Sequence, residues 1–250
     1  MFLHALWNRY VTWSRRDRSA QKDFPVVELH DCYLQSNETL KYVWLNLRSE
    51  HDGGCESNKP ELQTDEWLNI IDESAALGAN SMVVSSGERL SDFPGLWKVC
   101  DWAQSIHGMH VGIHVQKSTL TEDELSQLSM LEKRLTCLVV DKSQLEMLES
   151  LNVYGIPIIA SNVDKARTSK PCTESGTLAC VEADGTLQKC GLVGCKQKYP
   201  LGNALAQPIL ELVKKEQAIS HHSHSNPLIT SECEACPSLV AEQMAIKNRE

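Results

Sequence analysis

Six of the ten cysteines of this 250-residue chain lie between positions 172 and 236: Cys172, Cys180, Cys190, Cys195, Cys233 and Cys236. Cys233-Glu234-Ala235-Cys236 is a Cys-x-x-Cys step, which lets two thiolates reach one metal centre from a single turn. Cys172 precedes, and Cys190 immediately follows, two stretches that read as short strands, 177–183 and 186–189, around Asp184-Gly185, a strong hairpin signal. A hairpin brings its flanks together, so Cys172 and Cys190 can meet and the Cys-x-x-Cys pair can close a four-thiolate site. Such a site suits a [4Fe–4S] cluster or Zn²⁺. A buried cysteine without a metal is a small core hydrophobe. Cys180, inside the first hairpin run, fits that description. Cys195 sits in a Gly-rich stretch, and Cys190-x4-Cys195 with Cys233-x2-Cys236 is an alternative zinc arrangement.

The elements that must position these residues begin at 42. Tyr42–Leu47 reads as a strand. Thr64 offers an N-cap, with Asp65 and Glu66 in the favoured first turn, and Trp67, Leu68, Ile70, Ile71, Ala75 and Leu77 keep helical spacing before Gly78. Residues 80–85 read as a strand, 96–107 as a helix and 109–115 as a strand. Thr121 and Glu124 form a capping box before Leu125, Leu128 and Leu131, and Ser143 and Glu146 form another before Leu145, Leu148 and Leu151. Residues 135–140 and 155–160 are the fourth and fifth strands. Strands separated by single helices run parallel, and their apolar character on both faces fits a sheet covered by helices. A doubly wound sheet and a partial (β/α) barrel both satisfy this pattern. Either would bind ligands at the C-terminal ends of its strands. After residue 161 the alternation stops. A polar linker leads to the hairpin, and 208–219 reads as a helix.

Composition narrows the function. With 24 basic and 33 acidic residues the net charge is −9, the wrong sign for a general nucleic-acid binder. The first 22 residues run against this average, with Arg9, Arg15, Arg16, Arg18 and Lys22 interleaved with Trp7, Tyr10 and Trp13. They give the arm an amphipathic look and read as a helix packed on the body, a loosely ordered tail, or a docking arm for an acidic partner. No apolar run approaches the ~20 residues a membrane span needs. Arg9 interrupts the apolar start, so a secretory signal is not expected and the expected compartment is the reducing cytoplasm.

Cys172-x3-Gly176, Asp184-Gly185, Cys190, Leu201-Gly202-Asn203 and Cys233-x2-Cys236 together resemble the C-terminal auxiliary-cluster module of radical SAM enzymes. The module is called SPASM in its two-cluster form and twitch in its shorter, one-cluster form, and this chain resembles twitch. The resemblance covers roughly residues 42–240. It implies an α/β fold: a partial (β/α) TIM-type barrel over 42–161 and a small C-terminal α+β iron–sulfur domain over 162–250. A basic, aromatic extension over 1–41 precedes them. It also implies one [4Fe–4S] cluster on Cys172, Cys190, Cys233 and Cys236, with Zn²⁺ as the alternative.

The same resemblance exposes an omission. Radical SAM enzymes carry Cys-x3-Cys-x2-Cys in the loop after the first strand, where the cluster also binds S-adenosylmethionine. Here that loop reads Arg48-Ser49-Glu50-His51-Asp52-Gly53-Gly54-Cys55. Cys55 matches the third cysteine. Asp52 and Arg48 stand where the other two belong, and a guanidinium cannot ligate iron. The family's Gly-Gly-Glu-Pro, which binds the amine of S-adenosylmethionine, is here Ser86-Gly87-Glu88-Arg89. The implied protein is therefore a degenerate radical SAM-like one, an electron relay or accessory subunit for an active radical SAM enzyme or another redox protein. S-adenosylmethionine cleavage is not expected of it. Two alternatives remain: an oxidoreductase that completes an atypical cluster at Cys55 with His51 or Asp52, and a zinc-stabilised module. Glu88 and His114 are the candidate cofactor-binding residues at the barrel mouth, His114 sharing a strand face with His110 and Gly112. Asp141 is a further pocket carboxylate, and His221, His222 and His224 form a solvated or metal-binding cluster. No catalytic residue, substrate or pathway is legible.

Overall fold

The computed structural model describes residues 40–48, 60–116, 119–141, 155–161, 177–189, 200–220 and 236–247, all within one compact unit, 37–250. Among them eight strands form one sheet: β1 Tyr42–Asn46, β2 Ser81–Ser85, β3 His110–Val115, β4 Thr136–Asp141, β5 Ile158–Ser161, β6 Leu178–Val181, β7 Thr186–Lys189 and β8 Pro200–Asn203. The helices are α1 Thr64–Ala76, α2 Leu96–His107, α3 Glu122–Met130, α4 Ile209–Ser220 and α5 Pro237–Lys247. The basic N-terminal arm and the helix read after Ser143 lie outside the described residues.

The strand order is β5-β4-β3-β2-β1-β6-β7-β8. From β1 to β5 every pairing is parallel and each new strand adds on the same side of the last. A doubly wound sheet would reverse this order at a switch point. Its absence here fits the partial (β/α) fold, with the crossover helices on one face. β6 pairs in parallel with β1, and β7 and β8 follow antiparallel. The hairpin after residue 161 thus extends the same sheet.

Local chemistry sets the helix limits. α1 begins one residue after Gln63, whose backbone N–H donates to Glu66 Oε2 at 2.7 Å. Thr64, read from sequence as the cap, is the first helical residue instead. Trp67, Leu68, Ile70 and Ile71 bury one face of α1. α2 ends at Gly108, whose left-handed φ of 64° closes the last turn. Thr121 and Glu124 cap α3 reciprocally, as the spacing predicts.

The sheet has two buried faces. Val43, Leu45, Met82, Val84, Val111 and Ile113 point one way, and Trp44, Val83, Gly112 and Cys137 alternate with them. The second set defines an inner face. It is covered by α5: Val240 and Met244 share an apolar cluster with Trp44, Val83, Cys137, Val139, Ile159, Leu178 and Cys180. Gly112 makes room for this helix. A β-carbon there would lie 3.0 Å from Val83 Cγ2, 3.1 Å from Val139 Cγ2 and 3.2 Å from Val240 Cγ1. Sequence periodicity predicted neither α5 nor β8. No helix of the described residues is long and apolar enough to cross a membrane.

Candidate functional site

The C-terminal ends of the parallel strands carry a line of polar residues on the inner face. Asn46, Ser85 and His114 are register partners on β1, β2 and β3. The Asn46 amide donates to Glu182 Oε2 at 3.2 Å and approaches Cys180 Sγ at 3.9 Å, extending the line to the end of β6. His114 is half-buried near the C-terminal end of β3. Asp141 ends β4, as expected. Glu88 lies three residues beyond β2 on an exposed turn. Ser86 Oγ donates to the Arg89 carbonyl at 3.1 Å, and Arg89 N–H to Asp92 Oδ2 at 2.8 Å. Gly87 holds φ at 103°, and a β-carbon there would meet Asp92 Oδ2 at 3.1 Å. The turn is thus shaped by its own hydrogen bonds. Asn46 and Glu182 escaped the sequence reading, although Asn46 lies two residues beyond Trp44 and so shares its face.

The segment after β1 is held at both ends. Arg48 forms an ion pair with Glu61. Leu47 N–H donates to the Ser85 carbonyl at 2.8 Å, and Leu62 N–H to the Ala183 carbonyl at 2.7 Å. His51, Asp52 and Cys55 lie between these anchors, outside the described residues. The guanidinium at position 48, which cannot serve iron, serves to close the segment.

Of the four proposed metal ligands, Cys236 alone is described; Cys172, Cys190 and Cys233 lie outside, as do Cys195 and the three histidines near 221. Cys236 stands at the N-cap of α5, its carbonyl accepting Val240 N–H at 3.0 Å. Its Sγ lies 3.2 Å from Ser238 Oγ. The sulfur is also buried, in the same apolar cluster as Leu178 at the start of β6. β7 ends at Lys189, opposite Ala179 and one residue before Cys190. The described residues contain no group of three or more His, Cys, Asp or Glu able to hold a metal. Cys180 is fully buried on the inner face, in keeping with its reading as a packed thiol.

The Leu201-Gly202-Asn203 stretch now has a physical role. A β-carbon at Gly202 would lie 2.5 Å from Leu212 Cδ2, so only glycine lets α4 pack this closely on β8. Asn203 donates from Nδ2 to the Asp184 carbonyl at 2.8 Å and accepts Leu205 N–H at 2.9 Å, fastening β8 to the hairpin turn. Glu73 of α1 accepts Ile209 N–H at 2.9 Å, tying α4 to the first helix.

No protein-family model and no curated protein matches the sequence. Among solved structures, two of SuiB from Streptococcus suis align over 70% of this chain at 10% identity and a TM-score of 0.50. One is bound to S-adenosylmethionine; the alignments cover 65% and 66% of those chains, just under two thirds of their length. A third, SuiB bound to precursor peptide SuiA, aligns over 95% of this chain and 63% of that one, with 12% identity and a TM-score of 0.41. At such identity the likeness is one of fold alone: over the aligned residues this chain shares the fold of SuiB.

Proposed function

We propose that the chain is an iron–sulfur protein of radical SAM-like fold that carries one auxiliary [4Fe–4S] cluster and does not generate a radical of its own. It acts as an electron relay or accessory subunit for an active radical SAM enzyme or another redox protein. The observation that carries this reading is Arg48. It occupies the position where the family's first cluster ligand would stand, and its charge is engaged by Glu61. With Cys55 alone in that segment, no three-thiolate cluster can be built there. Cys172, Cys190, Cys233 and Cys236 would hold the auxiliary cluster, which supplies one-electron transfer when bound. The polar line at the strand ends, with His114 and the neighbouring Glu88 turn, is assigned to the substrate or partner. The fold alone does not carry this assignment, since one scaffold hosts many functions.

Iron, sulfide and zinc content of anaerobically prepared protein tests the proposal, with Cys233→Ala beside it. About four irons and matching sulfide are expected, with loss of both in the variant. Zinc without sulfide selects a zinc-stabilised module instead. About eight irons, or formation of 5′-deoxyadenosine from S-adenosylmethionine under strong reductant, selects an oxidoreductase with an atypical site at Cys55, His51 or Asp52.

A further inference from the structure

A buried hydroxyl is aimed at the one described cysteine of the proposed ligand set. Ser238 Oγ lies 3.2 Å from Cys236 Sγ, within hydrogen-bond reach of the sulfur. Ser238 is 9% exposed and Cys236 5%, so water does not compete freely for either group. Cys236 stands just before Pro237, the first residue of α5, and Ser238 just after it. The start of the helix therefore fixes their spacing. Leu178 and Val240 share the apolar surroundings of the sulfur. The place fits a thiolate ligand of the proposed set. Lys189, the chain neighbour of Cys190, pairs with Ala179, and Leu178 next to Ala179 packs in the same group as Cys236. As a thiol, Cys236 could donate or accept in this pair. A metal-bound thiolate has no proton, so there the hydroxyl is the donor.

We propose that Ser238 sets the reduction potential of the auxiliary [4Fe–4S] cluster, donating to the Cys236 sulfur and so favouring the reduced form. This role rests on the iron–sulfur reading above and deepens it. Reduction adds one electron, supplied by a redox partner or in vitro by dithionite, and moves no proton. The net negative charge grows by one. Apolar surroundings solvate such added charge poorly and oppose it. A hydroxyl pointed at sulfur offsets part of that opposition, and hydrogen bonds to the sulfurs are among the levers that set such potentials. Partners one shell out from a metal also orient its ligands. Ser238 is thus a positioning residue that acts through Cys236.

The full chain, prepared anaerobically, is titrated with dithionite against redox dyes. Its midpoint potential is read from visible absorption, with iron and sulfide measured on the same sample. Ser238→Ala keeps the iron content and thermal midpoint of the wild type. At a fixed ambient potential its reduced-to-oxidised ratio falls about tenfold, a drop of about 59 mV for one electron. Ser238→Thr, which keeps the hydroxyl, stays near the wild-type potential. Ser238→Val, equal to it in shape without the hydroxyl, drops as Ser238→Ala does. Should Ser238→Ala load poorly, the Thr and Val pair decides alone. An unmoved potential in an iron-loaded Ser238→Ala overturns the role of Ser238 and leaves the cluster standing. Equal drops in Ser238→Thr and Ser238→Val do the same, since they mark a packing effect. Wild-type protein without iron and sulfide overturns the cluster, and this role with it.

Discussion

Gly112 of β3 and Val240 of α5 stand so close that a β-carbon at residue 112 would lie 3.2 Å from Val240 Cγ1. Val83 and Val139 close the same space from the neighbouring strands at 3.0 and 3.1 Å. An added methyl therefore has no free direction. In an open strand, alanine gains about 0.5–1 kcal/mol over glycine from chain entropy. Here overpacking prevails, and Gly112→Ala is expected to destabilise the fold by ~1–3 kcal/mol. Val240→Ala removes one of the three obstacles. The double variant should lose less than the two single losses combined, as measured by urea unfolding in a double-mutant cycle. Strict additivity would mean that α5 does not seat on Gly112.

Glu73 gives the join between α1 and α4 a pH dependence. Burial raises its carboxyl pKa above the ordinary 4.5, outweighing the lowering effect of the Ile209 N–H. The folded state thus holds the proton more tightly than the unfolded chain does. Stability from this source is complete below the ordinary carboxylate range and is lost as pH rises through the raised value. Glu73→Gln keeps an acceptor for Ile209 and carries no charge. It should match or exceed wild-type stability at neutral pH, with the difference shrinking as pH falls toward 4.5. Unfolding midpoints of both proteins across that range decide the matter. A wild-type advantage that grows with pH would contradict it.

Much of the framework was legible because it rests on local rules. The β/α alternation through β4, the Leu96–His107 helix, the Thr121–Glu124 capping box and the Asp184-Gly185 hairpin all stand at or near their predicted places. The shared face of His110, Gly112 and His114 followed from strand alternation alone. What escaped depends on distant partners. β8 is four residues with a proline and a glycine, and it exists because β7 pairs with it across an irregular register at Leu187 and Gln188. α5 has apolar or small residues on several sides, so its period is weak, and nothing in its sequence says that it covers the inner face. Asn46 and Glu182 meet only because β6 pairs with β1, 136 residues apart in the chain.

Asn203 is the fastening between the hairpin turn and β8, and its loss should be felt by both. Asn203→Ala removes the donor to the Asp184 carbonyl and the acceptor for Leu205 N–H. A cost of ~1 kcal/mol is expected, mainly from the half-buried bond to the Asp184 carbonyl, since the exposed Leu205 N–H can turn to water. Gly185→Ala attacks the same contact from the other side. Its φ is 80°, and its β-carbon would meet the Asn203 amide at 3.2 Å. Thermal unfolding of both variants should show losses of similar size. An unperturbed Asn203→Ala would mean that the Asn side chain is not what holds β8 in register.

The cysteines should sort by reactivity along the division that structure and spacing draw. Cys100 is fully buried in α2, and burial, aided by the neighbouring Asp101 charge, pushes its thiol pKa well up. Cys137 is equally buried, between the inner face and α5. Alkylation requires the thiolate and access to it, and neither site offers access in the folded chain. At pH 8 with iodoacetamide, peptide mapping should find both unmodified in native buffer and modified together once urea unfolds the domain. Cys233 should behave differently: protected while metal is bound, and labelled after chelation without global unfolding. Rapid native-state labelling of Cys100 would show that α2 is not docked on the sheet. Indifference of Cys233 to chelation would remove it from the ligand set.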